Sequence, residues 1–228
     1  MRILSVDTSS ERGSVCVAED HEILGEVRLA SSIQHSERLF RSIEFLFHHL
    51  PFQLADIDLF AAARGPGSFT GLRIGLAAME GFVTAHGKSG AGVTTLEALA
   101  WKTGIQDALI APTIDARRGE VYGAIYRRSG DTFVEEQPAV VLKPAEWFAS
   151  LPRLPLVFCG DGAMRNRLAI EENGNWSIHT MDLYLASTIA EIAATPNCGP
   201  LAPLYVRKTD AEIIRENIAN QNSQSPEG

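Results

Sequence analysis

Alternating apolar and polar residues open the chain and predict three consecutive strands. Residues 3–6 are apolar apart from Ser5, the first strand is expected to end at Asp7, and Val15 and Val17 restart the alternation after a polar turn. A third alternating run covers residues 23–29. Because the turns between these runs are short, the pattern indicates an antiparallel meander rather than an immediate β-α-β unit.

Helical spacing follows the meander in two segments that a short strand separates. Ser36 has the chemistry of an N-cap, and apolar residues at three- and four-residue spacing predict a helix over 36–50. The apolar run 59–63 predicts a strand that enters a glycine-rich loop over 64–71, and a helix is expected over 72–86. The predicted order of the first part is therefore β-β-β-α-β-α.

A second set of elements begins after a connector over 103–107 and weakly echoes the first. We expect strands at 108–114 and 121–126, a strand region within 133–142, and a strand at 156–158. Helices are expected to open at Lys143-Pro144 and to cover 183–194.

This echo predicts an α/β protein built from two related halves. The N-terminal half covers residues 1–102 and is expected to bind a partner, and the C-terminal half covers residues 103–216. The last residues, 217–228, are mostly Asn, Gln, Ser, Pro, Glu and Gly, a composition typical of a disordered tail.

Composition describes an ordinary globular chain. Its 228 residues are 45% hydrophobic and 21% charged, and a net charge of -8 disfavours a free-standing nucleic-acid binder. The 3 cysteines form no C-x-x-C pair, which fits a reducing cytoplasm better than a disulfide or zinc scaffold. Because no signal peptide and no run of about eighteen apolar residues is present, we expect a cytoplasmic protein without a membrane span.

The loop over 65–71 is the first segment that could carry chemistry. It follows a strand and opens a helix, so backbone N–H groups around Gly65, Gly67, Ser68 and Thr70 could bind an anion. The loop lacks the Lys-Ser/Thr pair of a P-loop. The alternative is a tight turn in which Ser68 or Thr70 caps the helix.

Asp7 and Thr8, at the end of the first strand, hold the position of a phosphate-facing hairpin in the actin and sugar-kinase fold, where an aspartate can hold a metal through water. The alternative is that Asp7 only caps the turn. A second glycine-rich acidic loop would complete such a site, and its nearest counterpart, residues 114–120, carries Arg117 and Arg118 instead. Because two arginines stand where glycines would let the backbone approach phosphate, nucleotide hydrolysis by this chain alone is not favoured. Histidine spacing also gives no sign of a metal site.

The predicted helix over 72–86 carries two apolar stripes. One stripe contains Leu72, Leu76, Met79 and Val83 and should face the sheet of its own half. The other consists largely of small residues, which let a second helix approach closely. Either both helices of the first half pack only within the chain, or they form a surface that a partner buries. For that surface we select Phe45, Ile74, Ala78, Gly81 and Phe82.

Five runs of residues together resemble the bacterial TsaB family, also called YeaZ. The longest run is eleven consecutive residues of mixed chemistry, which makes it specific. The resemblance is good through about residue 126 and loose afterwards. The runs are ILSVDTS at 3–9, HSERL at 35–39, GPGSFTGLRIG at 65–75, TLEALA at 95–100 and IDARRGEVY at 114–122.

The resemblance implies an actin-like ATPase (ASKHA, ribonuclease H-like) fold of two related halves. It also implies a part in making N6-threonylcarbamoyladenosine in tRNAs that read codons starting with A. In that family the paralogue TsaD catalyses the transfer, TsaE supplies an ATPase, and TsaB is a non-catalytic subunit that pairs with TsaD through its N-terminal helices.

These implications set the expected partners and cofactors. We expect a heterodimer with TsaD, an association with TsaE, a homodimer when the chain is alone, and tRNA contact only through the complex. No cofactor or metal is expected in the isolated chain, and any ATP or ADP with magnesium is expected at the interface of the complex. The alternative is a nucleotide-dependent phosphotransferase or hydrolase that uses the Asp7 hairpin and the loop over 65–71.

Overall fold

The first of two mixed sheets contains the predicted meander. The computed structural model describes residues 1–30, 35–130, 132–196 and 198–207. In this sheet, the first three strands are antiparallel and the last two are parallel to the first. The strands are β1 (Arg2–Asp7), β2 (Arg12–Glu19), β3 (Glu22–Ala30), β4 (Leu59–Gly65) and β5 (Ser89–Thr94), in the order β3-β2-β1-β4-β5.

The second sheet repeats this arrangement in the later part of the chain. Its first three strands are again antiparallel neighbours, and the last two are parallel to the first of them. Because both sheets share this order and these directions, the prediction of two related halves is confirmed. The strands are β6 (Leu109–Arg117), β7 (Glu120–Ser129), β8 (Thr132–Leu142), β9 (Leu156–Cys159) and β10 (Trp176–Ile178), in the order β10-β9-β6-β7-β8.

Helices connect the strands at corresponding points of the two halves. One 3-10 turn, Leu54–Asp56, precedes β4. The helices are α1 (His35–His49), α2 (Phe69–His86), α3 (Thr95–Lys102), α4 (Pro144–Ser150), α5 (Asp161–Arg165), α6 (Arg167–Glu171) and α7 (Ala186–Ala193).

Helices cover both faces of the first sheet, which explains why β1 is buried from Ile3 to Asp7. Leu4 and Val6 point to the core beneath α1 and α2, whereas Ile3 points to the core that contains α3 and α7. Buried Ser5 satisfies its hydroxyl by donating to the carbonyl of Ala186 at 2.7 Å. A further core lies between the second sheet and α4, α5 and α6.

Three predicted boundaries are wrong. Helix α2 begins at Phe69 rather than at 72, because Ser68 caps it and the glycine-rich segment is already helical. Helix α7 begins at Ala186 rather than at 183 and packs on the first sheet, although it lies late in the sequence. Strand β7 continues to Ser129 rather than ending at 126.

Three short elements of the second half were not predicted from the sequence. The elements α5, α6 and β10 contain only 5, 5 and 3 residues, too few to establish a period. The predicted tail, 217–228, lies outside the described residues, and the boundaries of the two halves stay a prediction. Across the described ranges, no helix has both the length and the apolar character needed to cross a membrane.

Candidate functional site

The β1–β2 hairpin packs directly against the turn between β4 and α2. The hydroxyl of Thr8 donates to the carbonyl of Gly71 at 2.7 Å, and the N–H of Ser68 donates to the carbonyl of Ser9 at 2.7 Å. A Cβ on Gly71 would lie 2.0 Å from the Thr8 carbonyl oxygen, and one on Gly67 would lie 2.6 Å from that of Ser9. These glycines therefore let two backbone segments touch.

The same turn is closed by a helix cap. The N–H of Gly71 donates to Ser68 Oγ at 3.2 Å, so Ser68 is the N-cap of α2 and Thr70 lies exposed in the first turn. Gly65 has a φ of 112°, a conformation that L side chains rarely adopt. Since the N–H groups of Ser68 and Gly71 already have acceptors in the chain, the geometry favours the capped turn, and anion binding by this loop stays a prediction.

Asp7 is the most deeply buried carboxyl of the hairpin, at 1% exposed. Its Oδ1 accepts the N–H of Ser9 at 2.9 Å, the geometry of an Asx turn, whereas its buried Oδ2 has no hydrogen-bond partner among the residues that the structure describes. Burial raises the pKa of Asp7 to about 6, against the opposing effect of the Ser9 hydrogen bonds.

The space beside Asp7 is too small for a phosphate. The cavity lined by Asp7, Thr8, Ser14, Arg38 and Ser42 has a volume of about 20 Å³, which is enough for about one water molecule. This cavity therefore cannot hold a nucleotide, and nucleotide binding elsewhere at the hairpin stays a prediction. Across the described ranges, no three His, Cys, Asp or Glu side chains are grouped so that they could hold a metal ion.

The β6–β7 hairpin of the second half faces the first hairpin. Its tip turns through Arg117, Arg118 and Gly119, all at positive φ. Arg117 forms an ion pair with Glu11 at 3.4 Å, and both side chains are about two-thirds exposed, at 67% and 65%. The tip thus presents cationic side chains where a nucleotide-binding loop would present glycine backbone.

Helices α1 and α2 contact each other on the first sheet and form the helix-pair surface, which we define by Phe40, Phe45, Gly81 and Phe82. Phe45 is 57% exposed and Phe40 is 50% exposed. Gly81 is exposed, and a Cβ added there would meet no atom within 4 Å. The Phe82 ring is half-buried and lies 6.3 Å from Phe40 and 5.6 Å from Phe60, measured between ring centroids.

The predicted interface residues differ in how deeply they are buried. Phe45 and Gly81 are exposed, Ile74 and Phe82 are half-buried, but Ala78 is only 8% exposed because it packs into the core beneath α1 and α2. The structure thus shows little exposed surface at Ala78, and its place in an interface stays a prediction. The first stripe behaves as predicted at Leu72, Leu76 and Met79, which are buried.

Phe40 is the surface residue that sequence reasoning missed. The apolar spacing over 36–50 does not distinguish it from Leu39, Ile43 and Leu46, which are the buried residues of α1. A signal was available, because adjacent residues on a helix point about 100° apart, so Leu39 and Phe40 cannot both face a narrow core. Two neighbouring large apolar residues on one helix indicate that one of them is exposed.

A family model now supplies the context for this fold. The model described as TsaD, tRNA N6-adenosine threonylcarbamoyltransferase, matches residues 23–195. The chain belongs to this family, on its TsaB (YeaZ) branch. Its helix-pair surface and paired hairpins are thus features of a member of the TsaD family.

Curated relatives agree with this membership. The chain is 37% identical over 149 residues to the Escherichia coli K12 protein TsaB, described as a tRNA threonylcarbamoyladenosine biosynthesis protein, and the match spans 63% of each chain, less than two thirds. It is 28% identical over 174 residues to Bacillus subtilis TsaB, covering 75% of this chain and 76% of that protein. A Mycobacterium tuberculosis protein described as uncharacterized is 30% identical over 223 residues and is covered to 94%.

Solved structures agree on the fold. A Pseudomonas aeruginosa protein described as similar to the peptidase YEAZ superposes with a TM-score of 0.76 and 25% identity, covering 90% of this chain and 99% of that one. The ethanolamine utilization protein EutJ of Carboxydothermus hydrogenoformans superposes with a TM-score of 0.51 and 13% identity, covering 83% of this chain and 89% of that one. At this identity, the similarity concerns the fold alone. The predicted actin-like ATPase fold is confirmed.

Proposed function

We propose that the chain is a non-catalytic scaffold subunit that binds TsaD, together with TsaE, and is required for N6-threonylcarbamoyladenosine modification of tRNAs that read codons starting with A. The helix-pair surface is the site of pairing with TsaD, and in the absence of TsaD it pairs two copies of this chain. The protein acts in the cytoplasm, and tRNA is contacted only through the complex.

Exposed aromatic area on packed helices carries this proposal. Phe40 and Phe45 each leave about half of their surface in water, and the Phe40 ring lies 6.3 Å from that of Phe82, which follows the bare α2 backbone at Gly81. Aromatic side chains are enriched in interface cores, and their burial releases ordered water. A small residue beside them lets a partner helix approach closely.

The chemistry around Asp7 supports a non-catalytic role. Thr8 and Ser9 pack directly against the β4–α2 turn, where Gly67 and Gly71 accommodate their backbone, so both strands' ends are engaged within the chain. The net charge of -8 also fits a subunit that leaves RNA contacts to its partners. Any ATP or ADP with magnesium is proposed to bind at the interface with TsaD.

The deciding experiment mixes this chain with TsaD of the same source and measures mass by size-exclusion chromatography with light scattering. A heterodimer is expected for the native chain. Phe45→Ser removes an aromatic anchor, and Gly81→Leu inserts a bulky side chain where the partner backbone approaches. Each is expected to weaken the complex about 100-fold, the range of an interface hot spot.

Leu168→Ser is the matched control, because Leu168 is 78% exposed and lies in the second half. It is expected to leave complex formation unchanged. All three variants should keep the native circular dichroism spectrum, since the replaced side chains are exposed in the single chain. A native-strength heterodimer formed by the Phe45→Ser, Gly81→Leu double variant would refute the proposed surface.

Titration calorimetry with ATP and magnesium separates the scaffold from the nucleotide-dependent enzyme. No turnover, and no binding that depends on Asp7, is expected for the isolated chain. Tight binding with turnover, abolished by Asp7→Ala, would instead establish the enzyme. Binding seen only after TsaD is added would locate the nucleotide at the interface of the complex.

A further inference from the structure

The second half contains an open groove that the proposed pairing does not use. The groove lies between the segment that follows α4 and the loop that leads into β10, and its volume is about 450 Å³. Small-molecule sites in proteins span roughly 300–1,000 Å³. Its size therefore suits a ligand of nucleotide dimensions, in contrast to the cavity at Asp7.

An aromatic wall forms one side of the groove. The Trp176 ring lies 5.8 Å from Phe148 and 5.2 Å from Phe158, measured between centroids, so two neighbours hold the indole in place. Trp176 is nevertheless only half-buried and lines the open space. A fixed, partly exposed indole is a stacking platform for a planar ring.

Polar groups without partners surround this platform. Arg153, Asn173 and Asn175 line the groove, are exposed, and form no side-chain hydrogen bond or ion pair with any part of the chain that the structure describes. The loop backbone is held, because the N–H of Asn173 donates to Ile170 at 3.2 Å and the carbonyl of Asn175 accepts from Leu156 at 3.4 Å. Two amides and a guanidinium are therefore available to a ligand, and hydrogen bonds hold the backbone that carries the two amides.

Charge selects among the ligands that an indole can stack. No acidic side chain lines the groove, although the whole chain carries -8. Arg153 thus favours an anionic ligand, and a guanidinium pairs well with phosphate oxygens. The amides of asparagine suit the donor and acceptor edge of a purine.

We propose that this groove binds a purine nucleoside monophosphate, with the base stacked on Trp176, the base edge on Asn173 and Asn175, and the phosphate on Arg153. The site lies in the half that does not carry the helix-pair surface, so it is independent of pairing with TsaD.

Calorimetric titration of the full chain with AMP, adenosine and ribose 5-phosphate tests the proposal. AMP is expected to bind most tightly, since only AMP offers both ring and phosphate. Arg153→Ala should weaken AMP about 10-fold and leave adenosine unchanged, whereas Trp176→Leu should weaken both AMP and adenosine about 10-fold through the lost stacking. Asn175→Ala should give a smaller loss for both.

Arg127→Ala is the matched control, because Arg127 is an exposed arginine of the same sheet that pairs with Glu136. It should leave AMP binding unchanged. Since Arg153 and Asn175 are exposed, their variants test the site even where Trp176→Leu fails to fold. Absence of saturable heat up to about 5 mM AMP, which corresponds to binding too weak for a built site, would overturn the proposal. Ribose 5-phosphate binding as tightly as AMP, or an equal loss in Arg127→Ala, would do the same.

Discussion

The two halves of the molecule build their sheets in the same order, yet their helices differ in length and exposure. In the first half α1 and α2 contain 15 and 18 residues and leave Phe40 and Phe45 half exposed. In the second half α4, α5 and α6 contain 7, 5 and 5 residues. The first half therefore offers a broad helical surface, and the second offers a groove.

This difference indicates which parts of the fold are constrained. Backbone hydrogen bonds between strands and the packing of glycines at each strand-to-helix turn recur in both halves. Gly162 meets the backbone at Thr113 and Ile114 much as Gly71 meets Thr8. The helices attach at the same points but are free to diverge, because only one face of each must match the sheet.

The largest effect on stability is expected from replacing the glycines that pack at the β4–α2 and β9–α5 turns, which tests whether the two turns are built alike. Gly71→Ala and Gly162→Ala would bring a Cβ to 2.0 Å and 2.7 Å from backbone atoms, so each should cost about 3 kcal/mol in the free energy of unfolding. Gly81→Ala is the control within α2, where a Cβ meets nothing within 4 Å, and should gain up to about 1 kcal/mol. Urea unfolding measures all three. Equal stabilities of Gly71→Ala and Gly81→Ala would contradict the packing role.

Asp7 distinguishes the first hairpin by its burial. Replacing it should change how the free energy of unfolding depends on pH. Because burial raises the folded pKa from 3.8 to about 6, ionisation of Asp7 destabilises the native state as the pH rises through this window. Asp7→Asn keeps an oxygen acceptor for Ser9 and cannot ionise. It should therefore be more stable than the native chain by about 2 kcal/mol above pH 6.

Below pH 3.8 the two proteins should converge, since Asp7 is then neutral in both the folded and the unfolded states. Urea unfolding at pH 7.5 and at pH 4 measures the difference. A stability gap that stays constant across this range would exclude the ionisation of Asp7 as its cause.

The cap of α2 should contribute less than either turn or carboxyl. Ser68 accepts the N–H of Gly71, whereas the N-cap of α5, Gly160, makes no side-chain capping bond. Ser68→Ala should cost about 1 kcal/mol. Thr70→Ala is the control at an exposed position of the same turn and should change stability by less than about 0.5 kcal/mol. Thermal unfolding followed by circular dichroism measures the stability of both variants. A larger loss of stability in Thr70→Ala than in Ser68→Ala would show that Ser68 is not the cap.

The ion pair that joins the two hairpins should have the smallest effect. Glu11 and Arg117 are both about two-thirds exposed, so water and salt screen their attraction. Glu11→Gln should change the free energy of unfolding by less than about 0.5 kcal/mol. A loss above about 1 kcal/mol in low salt, absent at high salt, would mean that the halves depend on this contact.

Much of the fold could be predicted from local patterns. The alternation around Val15 and Val17 identified the meander, and the spacing of apolar residues identified α1 and α2. The pattern failed where elements were too short to repeat, as in α5 and α6. At the candidate surface it selected Phe45, which is exposed, but it did not single out the exposed Phe40 or anticipate the burial of Ala78, because a helical wheel does not say how wide the covered face is.

The sequence by itself determined the order of the elements, the two related halves and the resemblance to the TsaB family, since each depends on residues that are close along the chain. Only the tertiary structure decided what the glycines and Asp7 do. Thr8 and Gly71 are 63 residues apart, and their contact exists because β1 and β4 are neighbours in the sheet. Periodicity tells which residues share a face, but the meeting of two faces depends on the packing of the whole chain.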